Sequence, residues 1–222
     1  MMKQSKVLFA MLTSALIAFV LSAAVAVPLL FRPFYYAHIA LLNLSAQTPW
    51  TEAEIRAAFD EMMDFCVFGR PFGTGVLCWS ESGMSHFADC ALLFRLDFLA
   101  LALSALTLLI CFFCCRKGMR PVHPLGRGCA FWGGSLLALS FLAVGALAAL
   151  NFNAAFVWFH RLFFPGKSNW LLDPAADQII LILPRVFFRN CAILIVVLLL
   201  LGCAALILWD VLHGKHCRKT GK

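Results

Sequence analysis

Charge is scarce in this sequence. Charged residues make up 13% of 222 positions, against 63% hydrophobic ones. Soluble domains carry roughly a quarter charged residues, so the shortage excludes a solvated globular domain. Phosphate-binding loops are missing too. The glycine-rich stretch GRPFGTG, Gly69 to Gly75, is not followed by Gly-Lys-Ser/Thr and reads as a turn-rich connection. A serine-hydrolase elbow is also missing, since Glu81-Ser82-Gly83 is only a fragment of Gly-x-Ser-x-Gly. No cluster of cysteine and histidine makes a convincing metal site, and Cys114-Cys115 alone is a weak signal. No cofactor is expected.

Long apolar runs fill the space that charge leaves. Val7 to Phe31 is charge-free for 25 residues, Phe98 to Cys115 for 18, Gly128 to Phe159 for 32 and Asn190 to Trp209 for 20. About 20 apolar residues cross the hydrocarbon core as a helix. The pattern predicts an all-α, polytopic membrane protein. It forms a single domain over 1–222, with spans at about 7–31, 91–114, 129–152 and 187–209. The first run is about twice as long as the apolar part of a signal peptide, so it reads as an uncleaved anchor.

Basic residues give the orientation. Lys3 and Lys6, then Arg116, Lys117, Arg120 and Arg127, then Lys215, Arg218, Lys219 and Lys222 fall on one side of a four-span chain. By the positive-inside rule that side is cytoplasmic and holds both termini. Segments 32–90 and 153–186 then lie outside. Ten of the 11 acidic residues lie in or beside them, Asp210 being the exception. The net charge of +7 therefore reflects topology and gives no support to nucleic-acid binding. Basic flanks also suit anionic membrane lipids.

The first outer segment opens with Thr51-Glu52-Ala53-Glu54, which fits a capping box. Ile55, Ala58, Phe59, Met62, Met63 and Cys66 follow at the spacing of one apolar helix face. Cys66 and Cys78 both lie in this segment, where a disulfide between them is possible. Further on, His86, Asp89, Leu93 and Asp97 share one helical stripe. It runs from imidazole and carboxylate down to an acid inside the bilayer, which is a functional candidate by default. Pairing of Asp97 with Arg185 or Arg189 is the structural alternative.

The second outer segment continues the third span as a helix carrying Phe152, Phe156, Phe159, His160 and Phe163. His160, flanked by Arg161, falls where that helix leaves the hydrocarbon. Pro165-Gly166 breaks it. Asp173-Pro174 then reads as a helix N-cap with proline at the first helical position, ahead of a short apolar helix over Ala175 to Leu183. Irregular backbone at membrane depth survives only when buried in protein or lining a wet cavity. The sequence thus predicts a polar pocket near the outer leaflet, built from His160, Asp173, Asp177 and the His86–Asp89 pair.

Two blocks carry a resemblance. SESGMSHFADCALLF, Ser80 to Phe94, and NFNAAFVWFHRLFFPGKSNWLLDPAADQIILILPRVFF, Asn151 to Phe188, resemble the corresponding blocks of the lipoprotein intramolecular transacylase (Lit) family. Cys90 departs from the small aliphatic residue expected there. Tyrosine is sparse, which limits any phenolic proton donor in the outer region to Tyr35 and Tyr36. The resemblance implies an acyltransferase. Its substrates would be diacylglyceryl-modified lipoproteins in a bacterial plasma membrane. It would move the sn-2 acyl chain of the diacylglyceryl-cysteine onto that cysteine's α-amine. It also implies His160 as base, with His86 as the alternative base or the oxyanion donor and Asp89 available to orient it. Asp173, Asp177, Trp170, Arg161 and Tyr36 would shape the pocket. A non-enzymatic membrane scaffold or a small transporter of the same four-span group is the alternative reading.

Overall fold

The computed structural model describes residues 4–219, with side chains to His213. It is almost entirely helical, and four of its helices are long and apolar enough to cross a membrane. These are α1 (Lys6–Leu30), α5 (Glu81–Arg116), α6 (Cys129–Leu150) and α9 (Arg185–Lys219). Shorter helices fill the two intervening segments. They are α2 (Pro33–Leu41), α3 (Leu44–Gln47), α4 (Glu52–Phe68), α7 (Phe152–Phe163) and α8 (Ile179–Ile182). A two-residue parallel pair joins β1 (Gln4–Ser5) to β2 (Arg120–Pro121). The chain divides into two compact units, each made of discontinuous segments.

Unit 1 holds 1–25, 98–147 and 195–222. Its packing rests on small residues. A Cβ added to Gly134 would lie 3.0 Å from the Cys203 carbonyl oxygen, and one on Gly133 3.4 Å from that of Thr13. α6 can thus press against α9 and α1 backbone to backbone, which is how apolar helices associate where lipid offers no hydrophobic contrast. Ala24, Leu137, Leu199 and Cys203 close the centre. Polar ties gather at one end. Asp210 accepts a hydrogen bond from the Gly128 amide at 2.9 Å, and the Trp132 indole donates to the Pro124 carbonyl.

Unit 2 holds 26–97 and 148–194. α4 is built as its sequence dictates. Thr51 accepts from the Glu54 amide while the Glu54 carboxylate accepts from the Thr51 amide. All six residues of the expected apolar face are buried. Burying each large one contributes ~1.5–3 kcal/mol. Against this face the Tyr35 ring stacks on Phe59 with centroids 3.7 Å apart, and Phe187 meets Tyr35 edge-on. The outer face of α4 is tied down by Arg32, which pairs with both Asp60 and Asp64.

Three expectations need correction. Cys66 and Cys78 are both free thiols. Cys66 is buried in the core, where its thiol contacts the Phe87 carbonyl, and burial pushes its pKa up to about 12. Cys78 is exposed. The third long helix does not run on through His160. It stops at Leu150, and Asn151 turns extended and caps α7 by accepting from the Ala154 amide. The helix expected over Ala175 to Leu183 shrinks to α8, because residues 174–176 form a turn instead. Asp173 therefore caps that turn and not a helix, accepting from the Ala175 amide, and Gln178 stands at the N-terminus of α8.

Candidate active site

The site grows from the first turn of α5. Asp177 is buried, and its carboxylate accepts hydrogen bonds from the Ser80 amide and hydroxyl at 2.8–2.9 Å. The Ser80 hydroxyl in turn caps the Gly83 amide. A carboxylate at a helix start also suits the positive end of the helix dipole. Gly83 has to be glycine here, since a Cβ would lie 2.1 Å from an Asp177 oxygen. Gln178 adds a second tie by accepting from the Cys78 amide. The result is a fixed helix start, with His86 one turn further along and facing inward, 6% exposed.

α7 brings the partner. His160 sits in its last turn, 8% exposed, and the His86 and His160 ring centroids are 5.9 Å apart. Aromatic rings surround both. Phe164 meets the edge of His86 at 5.1 Å, while Phe156 and Trp170 lie 4.2 and 4.8 Å from His160. These walls are apolar and set the two imidazoles in a largely apolar surround.

Hydrogen bonding gives the two rings different characters. His160 Nδ1 lies 2.7 Å from the Phe156 carbonyl, which can only accept, so Nδ1 carries the proton and Nε2 keeps a free lone pair. Burial holds the His160 pKa below its usual value, partly offset by that hydrogen bond. The ring is therefore neutral at pH 7 and able to take a proton at Nε2. His86 is the reverse case. Its Nε2 lies 3.6 Å from the Cys90 thiol, and its Nδ1 is buried without a hydrogen-bond partner among the described residues.

A loop seals one side. Lys167 pairs with Asp89 at 2.5 Å, and the Asn169 amide donates to the other Asp89 oxygen at 3.0 Å. The Trp170 indole donates to the Lys167 carbonyl, which keeps its ring against His160. Asp89 thus anchors the loop 164–172 to α5, and its hydrogen bonds go to that loop and not to His86.

Of the residues expected in the pocket, the fold brings together His86, Asp89, His160 and Trp170. Asp177 supports them from the start of α5, with Asp173 one turn before it. Arg161 is exposed. Tyr36 is engaged elsewhere. Its hydroxyl donates to Asp60 at 2.8 Å, Arg56 covers its ring, and burial together with that carboxylate raises its pKa. The Tyr35 hydroxyl is also occupied, by the Ile182 carbonyl. Asp97 is half-buried three turns beyond His86 on α5. Arg185 donates to Asn153. Lys167, Asn169, Ser80 and Gln178 carry weight that sequence reasoning did not assign. For Lys167 and Asn169 the signal is the polar run in Gly166 to Asn169, which an apolar chain has no other reason to keep. Among the described residues no three His, Cys, Asp or Glu side chains converge as metal ligands would.

Comparison with known proteins agrees with this fold. The structure is similar to that of the membrane integral lipoprotein intramolecular transacylase Lit from Bacillus cereus, with a TM-score of 0.82 over 95% of this chain and 97% of that one, at 22% identity. It is also similar to two variants of that protein. One has a histidine replaced by arginine, with a TM-score of 0.79, 21% identity and 96% and 93% coverage. The other has a histidine replaced by alanine, with a TM-score of 0.77, 22% identity and 95% and 94% coverage. No curated protein sequence matches significantly. These structural likenesses establish the fold. The family description "Lipoprotein intramolecular transacylase Lit" matches residues 10–188, the greater part of the sequence. The chain belongs to the lipoprotein intramolecular transacylase (Lit) family.

Proposed function

We infer that this protein shifts the sn-2 acyl chain of a diacylglyceryl-cysteine lipoprotein onto the cysteine's own α-amine. His160 acts as base and His86 as hydrogen-bond donor. The observation that carries these roles is the complementary pair of buried imidazoles, one with a bare Nε2 and the other with an unpaired Nδ1. The amine nitrogen attacks the ester carbonyl carbon, and the new C–N bond forms as a proton passes to His160 Nε2. The carbonyl oxygen becomes an oxyanion and accepts a hydrogen bond from His86. The bond between the acyl carbonyl carbon and the glyceryl sn-2 oxygen then breaks, and that departing oxygen takes the proton back from His160. The product is an amide and a free sn-2 hydroxyl, with no atom gained or lost.

Nucleophile and ester belong to one substrate molecule, so no covalent enzyme intermediate is needed. Holding them together removes several kcal/mol of orientational cost. A preorganised donor in a dry site stabilises the oxyanion further, by about 3 kcal/mol in comparable cases. A general base adds roughly 10²–10⁴-fold. The aromatic lining, Phe156, Phe164 and Trp170, suits lipid chains and keeps water from competing for the ester.

The site then faces the outer leaflet of a bacterial plasma membrane, with both termini cytoplasmic. Lysine and arginine distribution supports this orientation. So does the gathering of β1, β2, Gly128 and Asp210 at one end of unit 1. The test is mass spectrometry of a reporter lipoprotein's N-terminal peptide. His160→Ala should leave membrane level intact and abolish the N-acylated, mono-O-acylated product, and wild-type product levels would overturn the assignment.

A further inference from the structure

We propose that Cys90 is a positioning residue that fixes His86 as the tautomer with its proton on Nδ1, and so keeps a hydrogen-bond donor ready in the site. Cys90 lies one helical turn from His86 on α5, with its sulfur 3.6 Å from Nε2. Two arrangements satisfy that distance. In one, Nε2–H donates to sulfur. The thiol hydrogen then forgoes the imidazole lone pair, and Nδ1 is left as a buried lone pair without a partner among the described residues. In the other, the thiol donates to the Nε2 lone pair. The thiol and Nε2 are then both satisfied, and Nδ1–H alone stays unpaired. Buried polar groups are rarely left unpaired, and an imidazole lone pair is a better acceptor than a thiol sulfur. The second arrangement therefore prevails.

The remaining unpaired group is then a donor, 6% exposed residue and all, beside a histidine that offers only an acceptor. A buried unsatisfied donor destabilises the resting protein. A developing oxyanion removes that cost, so the interaction strengthens as the reaction proceeds, which is the condition for accelerating it. Cys90 itself touches no substrate and acts only through His86. This role rests on the reading of His86 as the donor.

The experiment uses the full-length protein with ¹⁵N-labelled histidine, with the His86 signals assigned by comparison with His86→Gln. In the wild type, His86 should show a protonated Nδ1 and a bare Nε2. Cys90→Ala should shift the ring toward a tautomer mixture. It should also lower kcat about five-fold, the population change that one weak hydrogen bond controls, and leave KM unchanged. Cys90→Ser supplies a hydroxyl donor, and across the three proteins kcat should follow the fraction of Nδ1–H tautomer. A wild-type His86 protonated on Nε2, an unchanged tautomer in Cys90→Ala, or a kcat that does not follow the tautomer would each overturn the proposal. Failure of the broader reading looks different. Product from His160→Ala would sink the base assignment while leaving the His86 spectrum as it is.

Discussion

The two units use their side chains in opposite ways. Unit 1 is held by what its residues lack, with Gly133 and Gly134 on α6 letting backbones meet and few polar bonds to satisfy. Unit 2 is held by what its residues carry. Arg32 bridges two aspartates, Asp177 caps α5, and Asp89 ties a loop. The contrast teaches where chemistry can be placed. A scaffold of interchangeable apolar contacts tolerates change of identity and fails on volume. A network of paired polar groups tolerates volume and fails on the loss of one partner.

Breaking a polar partner should have the larger effect. Asp177→Ala leaves the Ser80 amide and hydroxyl without their acceptor at the helix that carries His86. It should cost roughly 3 kcal/mol of stability, since buried charged hydrogen bonds are involved. At a temperature where the protein stays folded, kcat should fall by at least about 30-fold, because a displacement of about 1 Å at a reacting group can cost 10²-fold. Product assays on purified protein and thermal unfolding in the same detergent measure both. Loss of stability with an unchanged kcat would show that α5 does not need this cap to aim His86.

Gly134→Val tests the other unit. Overpacking costs ~1–3 kcal/mol, and a Cβ there already approaches the Cys203 carbonyl at 3.0 Å. The unfolding temperature should drop, while kcat per folded molecule stays within about two-fold of wild type. A large fall in kcat at full folding would erase the distinction between the two units.

The smallest effect is in the pH profile. The substrate amine, with a pKa near 8, must lose its proton and gives the first decline toward acid. His160 gives a second. Burial lowers its pKa in the folded protein, so the base stays available as pH falls from 8 to 6.5 and is lost only as pH falls through that lowered value. The slope of log rate against pH should therefore steepen below pH 6.5, and this break should vanish in His160→Ala if any residual rate is measurable. A break at or above 6.5 in the wild type would argue against a buried base.

How legible each region was follows from the range of its interactions. The four long helices and α4 are written locally, as apolar runs, a capping box four residues long and a face repeating every turn. His86 and His160 were legible as the polar residues that such runs do not need. The break at Asn151 was not, because the charge-free run continues across it to Phe159 and a single extended residue makes the turn. Nor was the assignment of Asp89 to Lys167 and Asn169, or of Asp177 to Ser80. Those pairs are formed between positions whose sequences give no hint of each other. The free Cys66 follows from the same α4 periodicity that placed it in the core, which a reading by compartment alone overlooks.

The tie between Ser80 and Asp177 spans 97 residues, and that between Cys78 and Gln178 spans 100. Closing a chain over such distances forfeits entropy that no nearby contact returns. While the ribosome is still extending the chain through α6 and α7, α5 has been made but nothing yet fixes its first turn. The start of α5 gains Asp177 and Gln178 as partners only when the segment after α7 has been made. The groups that fix the helix carrying His86 are therefore supplied from a part of the chain made about a hundred residues later, and the site is completed late in synthesis.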